Sequence, residues 1–161
     1  MNRRSHSISR SAGFTMIELV VVIVILGVLA AVAAPRFVDD KTFLERGYYE
    51  ELAAALKYAQ KLAVASGCPV RVAIAANSYD ARQQAVSSGT CNLGDTTWPT
   101  AVQLADGRTL SGTSPTGVSA SPAVTMVYDS LGRTNLAVDQ VVSVGSFAFT
   151  VRADSGYVQA P

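Results

Sequence analysis

Gly13-Phe14-Thr15-Met16-Ile17-Glu18, running directly into Leu19-Val20-Val21-Val22-Ile23-Val24-Ile25-Leu26, decides how the rest of the chain is read. From Phe14 to Ala34 there are 21 residues and a single charge, Glu18. At 1.5 Å per residue such a helix reaches about 32 Å, enough to cross the hydrocarbon core of a bilayer. A carboxylate inside an apolar segment of that length is costly, and such groups are usually paired and functional. Ahead of the segment lies a short polar leader carrying Arg3, Arg4 and Arg10.

A secretory signal runs from a basic end through an apolar core to a small-residue cleavage site after that core. Here the small residues, Ala12-Gly13, stand before the apolar run. Cleavage at Gly13 would remove 1–13 and leave the apolar helix on the mature chain. The leader arginines hold the N-terminus on the cytoplasmic side and send the remainder outward. An uncleaved single-pass anchor explains the length and orientation, but neither Glu18 nor the Gly13-Phe14 junction.

At these residues the chain resembles the type IV pilins and the pseudopilins of type II secretion, whose prepilin signal has a glycine at the cut, a phenylalanine as the new N-terminus and a glutamate four residues later. The resemblance implies that a membrane prepilin peptidase cuts after Gly13 and methylates the Phe14 amine. It implies that Glu18 is the assembly carboxylate, and that the partners are the major pilin, other minor pilins and an inner-membrane assembly platform. The expected location is the inner membrane of a Gram-negative cell, head outward, and then a pilus or pseudopilus. A buried negative charge is tolerated where a positive group neutralises it. In a filament the Phe14 ammonium of a neighbouring subunit is the natural partner.

Composition fits one small head behind a helix. Of 161 residues, 148 remain without the leader, and charged residues make up 16%, against about a quarter in ordinary soluble domains. The formal net charge is +1. Without the three leader arginines, ten cations face twelve anions, a balance of −2. That near-neutral figure speaks against general binding of nucleic acid or anionic lipid.

Pro35 follows the apolar run, where it either ends the helix or kinks it. From 36 to 66, Phe37, Leu44, Tyr48, Leu52, Leu56, Ala59, Leu62 and Ala63 recur near helical spacing, with Asp40, Lys41, Glu45, Glu50, Lys57 and Lys61 among the polar positions between them. Gly67-Cys68-Pro69 is a helix stop. The pattern predicts one long helix over 14–66, bent at Pro35, with an apolar-throughout first half and an amphipathic second half. Strands are predicted over 69–74, 81–86, 123–128, 141–144 and 147–151. Turns are predicted at 77–80, 129–132 and 154–156, the last leading into Tyr157-Val158. Residues 87–122 are rich in Ser, Thr, Gly and Pro, with Trp98 and Leu104 as expected anchors. The expected class is α+β, a long N-terminal helix packed on an antiparallel sheet. The divisions are 1–13 leader, 14–34 membrane and assembly helix, 35–67 amphipathic helix, and 68–161 head.

The head carries a further resemblance. Ala53 to Ala63 with Val70-Arg71-Val72, Asp129-Ser130-Leu131-Gly132-Arg133, and Phe147 to Val151 with Gly156-Tyr157-Val158 resemble the GspH/FimT group of minor pilins and pseudopilins. Tyr58-Ala59-Gln60 and Ala65 to Val72 are most similar to the minor pilin of the mannose-sensitive haemagglutinin (MSHA) pilus. The function implied is that of a minor pilin in assembly of a surface filament; a secretion pseudopilin, or a subunit binding DNA or surfaces, is the alternative.

Export puts Cys68 and Cys91 in an oxidising compartment, where a disulfide is the default, contributing roughly 3 kcal/mol in the chain-entropy model. A metal site lacks ligands, since the single histidine is His6 in the leader, and no cofactor is expected. No nucleophile, base and orienter set is legible, so an enzyme is not expected. The pairs Asp39-Asp40 and Glu50-Glu51 are adjacent, and adjacent helical residues point in different directions. For DNA, the Gly132-Arg133-Thr134-Asn135 turn offers one arginine, Arg133, with Arg108 and Arg152 elsewhere. One or two phosphate contacts give weak, salt-sensitive binding.

Overall fold

The computed structural model describes residues 14–33, 40–87 and 90–160, in two units, 1–39 and 40–161. The leader with Gly13, and the expected kink at Pro35, lie outside the described residues. In the first unit a single helix, α1, covers Met16–Ala33. Its side chains from Leu19 to Leu29 are exposed on every side of the helix. A helix apolar all round is stable only when something else covers it. No helix among the described residues is long and apolar enough to cross a membrane. The 18 residues of α1 reach about 27 Å, against the 21-residue span expected from sequence: Phe14 and Thr15 precede the helix, and Ala34 lies outside the described residues.

The second unit opens with α2, Asp40–Ser66. Eleven strands follow: β1 Val70–Ile74, β2 Ser78–Gln83, β3 Val86–Ser87, β4 Thr90–Cys91, β5 Thr100–Ala101, β6 Ser111–Thr113, β7 Ala120–Ser121, β8 Val124–Tyr128, β9 Gln140–Val144, β10 Phe147–Val151 and β11 Val158–Gln159. One sheet runs β5-β2-β1-β8, with β6 also on β2; a second runs β11-β10-β9-β7; β3 and β4 form a small ribbon. Every named pairing is antiparallel.

Tyr48, Leu52, Leu56, Ala59 and Ala63 recur on one face of α2 and are fully or nearly fully buried. The alanines let the backbone approach β1, β9 and β10, so one helix packs across both sheets. The inward residues Val70, Val72, Met126, Val142, Val144, Phe149 and Val151 complete the core. At the C-terminus of α2, Gly67 takes a φ of +67°, the left-handed cap that glycine tolerates best. Ser66 Oγ donates to the Leu62 carbonyl at 2.7 Å and accepts from the Cys68 N–H at 3.2 Å.

Three sequence expectations are corrected. The turn expected at 77–80 is strand from Ser78 onward, because Tyr79 and Ala81 alternate inward and the Tyr79 hydroxyl donates to Glu51 at 2.7 Å; the chain reverses at Ala75–Asn77 instead. In 87–122 Leu104 packs partly buried against the core as expected, but the fully buried residues are Val102, Leu110, Val118 and Ala120, while Trp98 is half-buried, 5.9 Å from the Arg71 guanidinium. Glu45, expected to face solvent, is 7% exposed. Its carboxylate accepts from the Ser146 N–H at 3.2 Å and hydroxyl at 3.3 Å, with Lys41 at 3.7 Å. Ser146 belongs to the two-residue turn between β9 and β10. The other turn residue, Gly145, has a φ of +56°, and a Cβ there would overlap the Glu45 carboxylate.

Burial pushes the Tyr128 and Tyr79 hydroxyl pKa values well above the ordinary 10; for Tyr79 the Glu51 carboxylate adds to the shift. Tyr48 is raised by burial and then by Glu51. A group whose folded pKa is raised keeps its full contribution below the unfolded value and loses it as pH rises toward the folded one. Stability is therefore expected to fall above pH 10. The Tyr128 hydroxyl has no partner among the described residues. Tyr128→Phe should leave the neutral-pH melting temperature within a few degrees and soften the alkaline loss, as calorimetry at pH 7 and 11 would show. A large loss at pH 7 would contradict this reading.

Candidate functional site

The assembly residues read from the sequence lie at the start of α1. Thr15 stands just before the helix, and its hydroxyl accepts from the Glu18 N–H at 3.3 Å. Its carbonyl accepts from the Leu19 N–H at 3.2 Å. Thr15 is thus an N-cap, and Thr15-Met16-Ile17-Glu18 has the spacing of a capping box, with Glu18 at the third helical position. Sequence reading saw Glu18 as a carboxylate for assembly and missed this local role, although the T-x-x-E signal was in plain view. Glu18 therefore sits within the first turn, where the helix dipole favours an anion, and Phe14 and Glu18 are both exposed. The exposure leaves the carboxylate accessible to a group outside the chain.

Cys68 and Cys91 are joined in a disulfide with their Cα atoms 5.5 Å apart, inside the usual range for the bond. It ties the residue before Pro69 and β1 to β4.

Arg133 closes the turn after β8. Asp129 Oδ1 accepts from the Leu131 and Arg133 N–H groups at 2.9 and 2.8 Å, and Asp129 Oδ2 holds the Arg133 guanidinium at 2.9 Å. Burial opposes the Asp129 charge, but the hydrogen bonds from Arg133 and Leu131 outweigh it and lower the pKa. Arg108 and Arg152 are likewise paired, with Asp106 at 2.6 Å and Asp139 at 2.8 Å. The structure does not bring these three arginines into one free patch: each is partly neutralised by its own aspartate.

The turn is anchored from α2 by a residue that sequence reading noted only as part of a resemblance. Gln60 Nε2 donates to the carbonyls of Gly132 and Ser155, both at 2.9 Å. A Cβ at Gly156 would overlap the Gly132 carbonyl, so the two C-terminal turns meet over Gln60 only because glycine stands there.

Residues 8–34 match the model of the prokaryotic N-terminal methylation motif. Residues 49–160, most of the chain, match that of the type II transport protein GspH. The chain belongs to the GspH family. With the prepilin motif in front of it, this GspH-family chain falls in the type IV pilin and pseudopilin class, whose members are structural, and it is not an enzyme. The class implies processing by prepilin peptidase, contact with major and other minor pilins, and membrane anchorage before assembly.

The type IV narrow pilus major component PilA5 of Thermus thermophilus is 43% identical over 70 residues, which are 42% of this chain. The match spans 60% of that relative's length. The crystal structure of the Pseudomonas aeruginosa type IV minor pilin FimU in space group P21 has a TM-score of 0.50 at 14% identity, covering 72% of this chain and 87% of that one. Its P65 form gives 0.49 at 15% identity, covering 72% and 91%. The P21 likeness is one of fold, an N-terminal helix on an antiparallel head.

Proposed function

We propose that this chain is a minor type IV pilin, similar to that of the MSHA pilus, which serves the initiation and assembly of a surface filament. Prepilin peptidase cuts after Gly13 and methylates Phe14. Residues 14–34 hold the chain once through the inner membrane with the head outside, and 35–67 carry the helix past Pro35 into the head, 68–161. Glu18 neutralises the Phe14 ammonium of a neighbouring subunit at the assembly platform and sets its axial register. The observation that carries this reading is an exposed carboxylate placed by Thr15 in the first turn of a helix that is apolar all round. Such a helix needs cover, and such a carboxylate needs a cation.

A pseudopilin of a type II secretion machine is the second reading, favoured by the family to which residues 49–160 belong. Filament counts by electron microscopy in a strain lacking the gene separate the two, with the major pilin verified by immunoblot. Near-complete loss of filaments, restored by the intact gene, is expected. Normal filaments with lost effector secretion would overturn the pilus reading in favour of the pseudopilin.

A further inference from the structure

Asp40, Glu51, Asp95 and Asp154 of the head unit have no ion pair among the described residues. Asp40, Asp95 and Asp154 are accounted for where they stand. Asp40 sits in the first turn of α2, where the helix dipole favours an anion. Asp95 serves its own loop, accepting from the Thr97 N–H at 2.8 Å and hydroxyl at 2.6 Å. Asp154 is exposed in the turn between β10 and β11. Glu51 is different, because it lines a groove of about 670 Å³ between α2, β2 and the segment 104–111.

Glu51, Ala54, Ala55 and Tyr58 stand at i, i+3, i+4 and i+7, one strip along α2, about 10 Å from first to last at 1.5 Å per residue. The two alanines keep the middle of the strip low, and Tyr79 of β2 and Leu104 supply the other side of the groove. The Tyr79 hydroxyl donates to Glu51 Oε1 at 2.7 Å, and the Tyr58 hydroxyl donates to the Gln103 carbonyl at 3.1 Å. Both hydroxyl protons are thus in use. The groove therefore offers an incoming group mainly acceptors: the two phenol oxygens and Glu51 Oε2, which has no partner among the described residues. A Cβ at Gly112 would overlap Glu51 Oε1 and the Tyr79 ring, so glycine in β6 leaves the room this pair occupies. Arg108 also lines the groove, but Asp106 holds its guanidinium at 2.6 Å.

We propose that this groove receives a lysine or arginine side chain of a different pilin subunit lying against α2. The alkyl stem covers Ala54, Ala55 and Leu104 while the charged head meets Glu51, the way long cationic side chains lie on apolar surface. The Tyr58 and Tyr79 rings add their attraction for a cation. Charge complementarity selects the occupant: the carboxylate is uncompensated, the tyrosine donors are taken, and no cation among the described residues pairs with Glu51. The subunit is a different one because a minor pilin stands among major and other minor pilins. The contact rests on the reading of this chain as a filament subunit.

The test uses the full chain in its own cells, with the photoreactive analogue benzoylphenylalanine in place of Thr109, an exposed residue on the groove lining. Glu51, Tyr58 and Tyr79 all remain. A second chain carries the analogue at Ser111, also exposed and on the same lining. Illumination should give an adduct with another pilin, and peptide mass spectrometry should place the bond beside a lysine or arginine of that pilin. Glu51→Gln removes the charge but keeps an acceptor for the Tyr79 hydroxyl. It should lower the adduct yield about fivefold at an unchanged level of chain, the scale of one exposed ion pair. Glu51→Lys combined with an acidic substitution of the mapped basic residue should restore the yield. An adduct only with a second copy of this chain, a bond placed away from any basic residue, or a yield indifferent to Glu51→Gln would overturn the contact. Sheared filaments from the same cells are probed for the chain. Its presence there without an adduct from either position overturns this contact alone, whereas absence of the unsubstituted chain from any filament overturns the pilin reading and the contact with it.

Discussion

Glu18→Ala is expected to yield a chain that is still cleaved after Gly13 but no longer enters the filament. Cleavage depends on the junction at Gly13-Phe14, which the substitution leaves in place. Assembly is different. Once the start of α1 is buried among neighbouring helices, the Phe14 ammonium of the adjacent subunit loses its counter-charge, and removing one partner of a buried pair costs about 3–5 kcal/mol. At about 1.4 kcal/mol per decade, incorporation should fall by roughly two to four orders of magnitude. Quantitative immunoblots of sheared filaments against the membrane fraction measure it directly. Glu18→Gln separates charge from shape: it keeps the side-chain length, while Thr15 still caps the helix through the residue-18 backbone N–H. It should fail nearly as badly as alanine. Normal incorporation of either variant would sink the charge-pairing account, and normal incorporation of Gln alone would reduce the role of Glu18 to hydrogen bonding.

The second large effect is expected at the disulfide. Cys68 and Cys91 are separated by 23 residues, and the closed loop contains β1, β2 and β3. Cys68→Ser with Cys91→Ser frees that loop in the unfolded chain and should cost roughly 3 kcal/mol, a shift in melting temperature of several degrees for a domain of this size. Cys68 is buried beside β1, so its serine variant also places a hydroxyl in an apolar setting. Thermal unfolding of the full chain in detergent, with and without reductant, checks both contributions. A reduced wild-type chain as stable as the oxidised one would contradict the structural role given to the bridge.

The long-range plan was legible because the strongest local patterns agree with one another. An apolar run with one carboxylate, a helical stripe ending at Gly67, and alternation at Val70-Val72-Ile74 each say the same thing at their own length scale. The P21 FimU likeness adds the fold at 14% identity. Reading failed where a few residues are governed by partners far away in sequence. Ser78-Tyr79-Asp80 has turn-forming composition, but it is strand because Tyr79 reaches Glu51 on α2, 28 residues away. Glu45 looks like a solvated helix residue, yet it is buried because a turn 101 residues later supplies its donors. In 87–122 Leu104 was legible, but the more deeply buried Val102, Leu110 and Val118 were not, because single apolar residues there show no period of their own.

The candidate site was legible in kind and incomplete in detail. Glu18 announced itself as a charge where charges are expensive. The Thr15 cap that fixes its place in the first turn has the plainest of local signals, T-x-x-E, and it overlaps the prepilin junction, where the same glutamate carries a second reading. Gln60 had no signal of its own: its two carbonyl partners come from turns 72 and 95 residues away.

The measurement that tests the central claim most directly is intact-mass and N-terminal peptide analysis of the chain recovered from sheared surface filaments. The account predicts a protein that begins at Phe14, carries one methyl group on that amine, and is found in the filament fraction. A chain that keeps Met1 to Gly13, or one cut after the apolar run and so deprived of Glu18, would contradict it.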